Sequence, residues 1–173
     1  RLRGVEAGSY YVVVDSAIAP TPYELDVLIS DLPAACGAAG RLPTGVPIDG
    51  VTSGATDSLI GSCAMPGSSS DRLYRLVLDQ AAAVTLTVEG QDYDPVLVVL
   101  DDCSLDATEL GCRTGSGALS WRRLEAGEYI VAVDGQQGRS GRFLLTLTTA
   151  PPAQPGGGQG CDGAQLVDPL GAG

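Results

Sequence analysis

The sequence predicts an all-β protein, an antiparallel β-sandwich repeated in tandem. Three observations carry this reading. Short segments of alternating apolar and polar residues recur between residues 72 and 148, Gly, Pro, Ser and Asp cluster between them, and a long stretch near the C-terminal end is copied near the N-terminus. The first two features give short strands joined by turns. The third gives tandem domains rather than a solenoid of small units.

The clearest strands lie in residues 124–148. Tyr129, Val131 and Val133 alternate with Ile130, Ala132 and Asp134. After a turn region at 136–141, Phe143, Leu145 and Leu147 alternate with Leu144, Thr146 and Thr148. The copy is Val5-Glu6-Ala7-Gly8-Ser9-Tyr10-Tyr11-Val12-Val13-Val14-Asp15, which matches residues 124–134 at an offset of 119; Tyr23, Leu25 and Val27 match the second strand at an offset of 120, and Cys36 matches Cys161 at 125. Residues 1–35 therefore read as the C-terminal strands of a preceding repeat, with strands at 10–15 and 23–29. Residues 36–150 read as one complete repeat, and 151–173 as a linker and the start of the next.

Within the complete repeat, residues 31–50 carry Pro33, Pro43 and Pro47 and read as linker, because proline favours extended backbone and is excluded from helix interiors. Residues 50–61 and 63–71 are turn-rich. Strands follow at 72–79 and 83–89, with Tyr74, Leu76, Leu78, Val84, Leu86 and Val88 facing inward. Pro95-Val96-Leu97-Val98-Val99-Leu100 is apolar without alternation, as in a central strand covered on both faces. Its expected inward residues are Val96, Val98 and Leu100. Residues 105–112 read as a loop or short strand, and 116–124 as a strand that turns Leu119 and Trp121 inward. About seven or eight short strands and no helix make a sandwich with one core.

The net charge of −11, from ten Arg, no Lys and 21 acidic residues, argues against nucleic acid and anionic membrane as partners. No apolar run approaches the length of a membrane-spanning helix. Asn and His are also absent. A GC-rich genome accounts for the missing Lys and Asn. The missing His removes Ser-His-Asp and Cys-His nucleophile activation, His metal ligands and a His pH switch.

Five cysteines lack the clustered CxxC spacing of a metal site. They are expected as disulfides: Cys36 with Cys63, and Cys103 with Cys112 across a short polar loop. Cys161 would pair beyond residue 173. That chemistry calls for an oxidising compartment: the periplasm, the cell surface or outside the cell.

Asp92-Tyr93-Asp94-Pro95 with the apolar strand after it, Leu124-Glu125-Ala126-Gly127-Glu128-Tyr129 with its strand, and Gly141-Arg142-Phe143-Leu144-Leu145 together resemble the bacterial pre-peptidase C-terminal domain. The resemblance covers roughly residues 70–150, and 1–30 in part. It implies a jelly-roll-like sandwich in a secreted bacterial protein, often beside a protease and often in several copies. No peptidase segment is present here.

Asp92, Asp94, Asp101 and Asp102 bracket the apolar strand. Clustered carboxylates can hold Ca²⁺, and some members of the resembled family use calcium near these loops. Asp92, Asp94 and Asp102 are thus calcium candidates, against the plain alternative that acidic turns keep strand ends solvated. No carboxylate pair is fixed for glycoside hydrolysis, and the loop serines lack a base. Trp121 reads as core rather than a sugar platform. The glycines at 156–158 and 160 read as linker. The expectation is a non-enzymatic structural or adhesive repeat without cofactor, in an extracellular or cell-surface filament, whose partners are neighbouring copies of itself. The alternative is an accessory domain of a secreted hydrolase.

Overall fold

The computed structural model describes residues 8–15, 22, 23, 25, 27, 32–59, 61–65, 69–104 and 107–152. Its elements are a short helix α1 (Leu32–Gly37) and nine strands: β1 (Gly40–Arg41), β2 (Ile48–Val51), β3 (Arg72–Leu78), β4 (Ala82–Gly90), β5 (Pro95–Leu100), β6 (Glu109–Thr114), β7 (Gly117–Leu124), β8 (Gly127–Gly135) and β9 (Arg142–Ala150). They form two sheets, in the orders β1-β3-β8-β5-β6 and β2-β9-β4-β7. Counted from β2 as strand one to β9 as strand eight, the sheets read 2-7-4-5 and 1-8-3-6. That is the strand order of a jelly roll, two interlocked Greek keys. β1 is an extra two-residue strand, parallel to β3 at the sheet edge.

Alternation decides which side chains fill the space between the sheets. Leu76, Val84, Leu86, Val88, Val131, Val133, Phe143, Leu145 and Leu147 are buried there, with Tyr74, Leu119, Trp121 and Tyr129 packed against them. The strands expected at 72–79, 83–89, 116–124 and in 124–148 are all present, with the inward faces expected for them. β5 is the exception. Its residues are buried on both faces, but Leu97 and Val99 point between the sheets, while Val96, Val98 and Leu100 point to the outside of their own sheet. A uniformly apolar strand carries no period from which its phase can be read.

The outer face of β5 is covered by a second layer. Val96, Val98 and Leu100 pack with Ile130 and Ala132 of β8 beneath Cys36, Leu59 and Ala107. The loop after β2 approaches so closely that a Cβ on Gly61 would lie 2.5 Å from Val98 and 2.8 Å from the Cys112 sulfur. Part of this layer comes from the segment expected to be linker. Pro33 stands in the first turn of α1, where its missing N–H interrupts no helical hydrogen bond. β1 and β2 are held by their neighbours: Leu42 N–H donates to Arg75 O, and β2 runs along β9.

The four cysteines of this unit form two disulfides, but their pairing corrects the expected one. Cys36 is joined to Cys103, and Cys63 to Cys112. The reason lies in β6. Residues 109–114 are a strand, and antiparallel pairing sets Cys112 opposite Val98 midway along it, whereas Cys103 lies beyond Leu100 at the far end of β5. Bridging Cys103 to Cys112 requires that ladder to break. Each actual bridge instead ties the outer layer to the sheet.

Residues 9–15 carry no strand, contrary to expectation. Tyr11 is 95% exposed and Val13 82%, and Tyr23, Leu25 and Val27 are also exposed. In this chain the strand positions they copy are filled by β8 and β9. Residues 17–21 of the turn expected at 17–22, the linker at 153–160, Cys161 and the start of a further repeat lie outside the described residues.

Both bridges close long loops, with sequence separations of 67 and 49. Chain entropy assigns each about 4 kcal/mol. Replacing Cys36 and Cys103 with Ser should lower stability by up to this amount in urea titration. Non-reducing peptide mapping should return Cys36 with Cys103 and Cys63 with Cys112.

Candidate functional site

The carboxylates proposed from sequence do not come together. Asp92 and Asp94 are exposed in the turn between β4 and β5, whereas Asp101 and Asp102 follow the end of β5. Six residues of extended strand separate the two groups, about 20 Å. At the second end the acids serve their own loop. Asp102 Oδ1 accepts the Ser104 N–H at 2.7 Å, which holds its carboxyl below the usual range, and Asp101 Oδ1 accepts the Thr108 N–H at 2.6 Å. Ca²⁺ needs six to eight oxygens around one point, and Asp92, Asp94 and Asp102 do not supply that arrangement. Among the described residues, no group of three or more acidic or sulfur side chains is gathered for a metal ion.

The opposite end of this sheet holds an arrangement that sequence reasoning missed. β3 and β8 are antiparallel, with Arg72 opposite Val133. Continuing that register by one residue sets Asp71 opposite Asp134. Both are nearly sealed from solvent, at 4% and 3% exposure. The carboxylate oxygens of Asp57 are buried close by. Like charges directly opposite each other repel, and burial penalises each charge further.

Local hydrogen bonds hold the pair in place. Asp71 Oδ2 accepts the N–H groups of Ser58 and Leu59, both at 2.7 Å, and so fixes the loop after β2. Asp134 Oδ1 accepts the Gly135 N–H at 2.6 Å. These bonds favour the ionised forms, but burial outweighs them. Desolvation, with a contribution from Asp57, pushes Asp71 up to about 6. Desolvation, with Asp71 and Asp57 adding to it, pushes Asp134 up to about 7.

Tyr93 closes this end. Its ring lies so tightly against Gly141 that a Cβ there would be 2.7 Å from it. The hydroxyl is buried near Thr52, whose Oγ1 accepts the Gly141 N–H. Burial pushes its pKa up to about 12. Around it, the Ser69 hydroxyl donates to Gly135 O and the Met65 N–H donates to Gln136 Oε1.

Acids with raised pKa values are the usual raw material of proton transfer. Here both are buried; Asp71 bonds the backbone of the loop after β2, and Asp134 bonds its own neighbour Gly135. The arrangement can bind protons and join loops; it presents no acid or base to a ligand. Trp121 is half-buried and packs against the core, and Tyr93 is buried.

The sequence matches no known family model and no curated protein. Several solved structures share features of the fold. The pre-peptidase C-terminal domain of a Bacillus anthracis collagenase is 12% identical with a TM-score of 0.47, covering 71% of this chain and all of that one. A periplasmic inhibitor of g-type lysozyme from Aeromonas hydrophila is 16% identical at 0.44, covering 65% of this chain and all of that one. A mitogen derived from Yersinia pseudotuberculosis is 8% identical at 0.33, covering 53% of this chain and 93% of that one. All three scores lie below 0.5, so no ligand or activity is inferred from them.

Two predictions follow from the buried acids and the scattered ones. The folded pKa values of Asp71 and Asp134 lie above the ordinary carboxylate value. Between about pH 4 and 7 the native state therefore binds more protons than the unfolded chain, and their contribution to stability is lost as pH rises through 6–7. Thermal melts should give a higher midpoint at pH 5 than at pH 8, and Asp134→Asn should flatten that slope and raise the midpoint at pH 8. EDTA, by contrast, should leave the midpoint unmoved; a fall restored by added calcium would reinstate Asp92, Asp94 or Asp102 as ligands.

Proposed function

We propose that this chain is a non-enzymatic structural module of an extracellular or cell-surface bacterial protein, one unit of a head-to-tail array of jelly rolls. The observation that carries this reading is the copied strand segment. Residues 5–15 and 23–27 repeat the sequence of two inner strands, β8 and β9; the exposure of Tyr11, Val13 and Tyr23 lends the array no support. Two such strands alone would be marginal in water.

Other features support the module reading. Two disulfides suit an oxidising compartment. The buried acids knit loops instead of facing a cleft, and the absence of His leaves the serines without their usual activating base. No helix among the described residues is long and apolar enough to cross a membrane. A role as an accessory domain beside a secreted hydrolase differs from this one in what adjoins the unit in the polypeptide, not in the unit itself.

The test is electron microscopy and sedimentation of the secreted protein as its bacterium makes it. The expected particle is an elongated string of beads, each about 35 Å across. A compact particle with hydrolase activity removes the array and favours the accessory role.

A further inference from the structure

We infer that the outer face of the β2-β9-β4-β7 sheet is a docking surface for a second copy of this chain, which packs on it face to face about a two-fold axis. The pairing is lateral, and it stands whether or not units are also joined head to tail.

The two sheets treat their outer faces differently. That of β5 and β8 is covered by the outer layer. That of β4, β7 and β9 is open: Ala118, Ser120 and Thr148 are exposed, and Thr85, Thr87 and Thr146 are half-buried among their neighbours. Register sets these six in two rows across three strands, Ser120–Thr85–Thr148 and Ala118–Thr87–Thr146. Ala83, opposite Ala150, extends the patch by one more row. All of these side chains are short, so the face is flat. The chain has ten Arg and 21 acidic residues, yet none falls in 83–88, 117–121 or 143–150. A solvated face has no need to exclude charge, whereas depletion of charge marks the centre of an interface. The Thr85 and Ser120 hydroxyls bond each other at 3.0 Å, which lowers what they lose on leaving water. Sheet faces of this kind pack on one another about 10 Å apart.

The ends of the patch select the partner and its orientation. Ala82 pairs with Leu124 and Val84 with Trp121, so a bulge in β7 sets both Arg122 and Arg123 opposite Ala83. Arg123 is paired with Glu125, so Arg122 gives this end its net positive charge. At the other end Glu89 lies opposite Leu144, and Asp49 on the far side of Leu144 is paired with Arg142. Glu89 gives that end its net negative charge. The two ends are six residues of extended strand apart, about 20 Å. A two-fold axis lying in the face and running across the strands exchanges them. Arg122 of each copy then meets Glu89 of the other, twice by symmetry. An axis along the strands sets positive end on positive end. Over the rest of its surface a chain of net charge −11 repels its copy. The uncharged patch covers about 300 Å², against about 800 Å² per partner in a standard stable complex. The dimer is therefore one that forms at high concentration.

Sedimentation equilibrium of the 173-residue chain between about 10 μM and 1 mM should show dimers at the upper end, fewer of them at high salt. Thr87→Arg puts a charge at the centre of the face and should abolish dimerisation, with the melting midpoint within about 3 °C of the parent. Arg122→Glu and Glu89→Arg should each raise the dissociation constant about tenfold, and the double swap should restore it to within about threefold. The swaps sit on exposed residues, so they test the pairing even if Thr87→Arg unfolds the chain. A chain that stays monomeric at the highest concentration overturns the inference. A dimer indifferent to both Thr87→Arg and the single swaps uses another surface and also overturns it. A double swap weaker than either single one overturns the two-fold arrangement.

Discussion

The structure depends on a strand with no polar face. β5 is apolar at all six positions and every one is buried. A jelly roll offers one dry side per sheet, the side toward the other sheet. Half of β5 would otherwise lie against water, together with Ile130 and Ala132 of its neighbour. The protein answers with a third layer, built from a helix of six residues, a close-lying loop and two disulfides. That layer is too thin to hold itself by burial alone. The covalent ties join the layer to the end of β5 and to the middle of β6.

The same sheet has a different problem at its other end. There β3 and β8 bring Asp71 and Asp134 face to face beneath loops, with Asp57 nearby. The two ends are thus closed by different means: sulfur and aliphatic packing at one, carboxylates bonded to backbone N–H groups at the other. The second method fixes loop geometry well, since one oxygen of Asp71 gathers two successive N–H groups. Its cost is the crowding of negative charge in a poorly solvated place.

Much of the sandwich was legible in the sequence, for a definable reason. Strands with one wet face write their orientation as alternation, so β3, β4, β7 and β9 could be placed with their inward residues; β8 was placed correctly too, although most of it is buried on both faces. β5 announced that it was covered twice but could not show its phase. α1, β1 and β2 were hidden in a proline-rich stretch, because tertiary contacts rather than local preference hold them. The cysteines could be recognised as disulfides, but their connectivity depends on which residues the folded sheet sets side by side, and spacing does not contain that. The buried acids were hardest to see. Asp57, Asp71 and Asp134 are far apart in the chain and meet only through the register of β3 and β8. The one hint was Asp134 itself, a charge closing a run of apolar residues, repeated as Asp15 in the copy.

The Cys36–Cys103 bond has a consequence for a unit held at both ends. Tension entering near α1 does not travel through β1 to β5; it crosses the sulfur bridge to residue 103, and the residues spanning that sequence separation of 67 are shielded from load. However hard such a unit is pulled, only the chain after Cys103 can be drawn out, roughly 160 Å to the end of β9 against roughly 390 Å for the same unit without crosslinks. The bond that clips a thin layer onto a sheet also makes the domain a short, stiff link that yields a little and then stops.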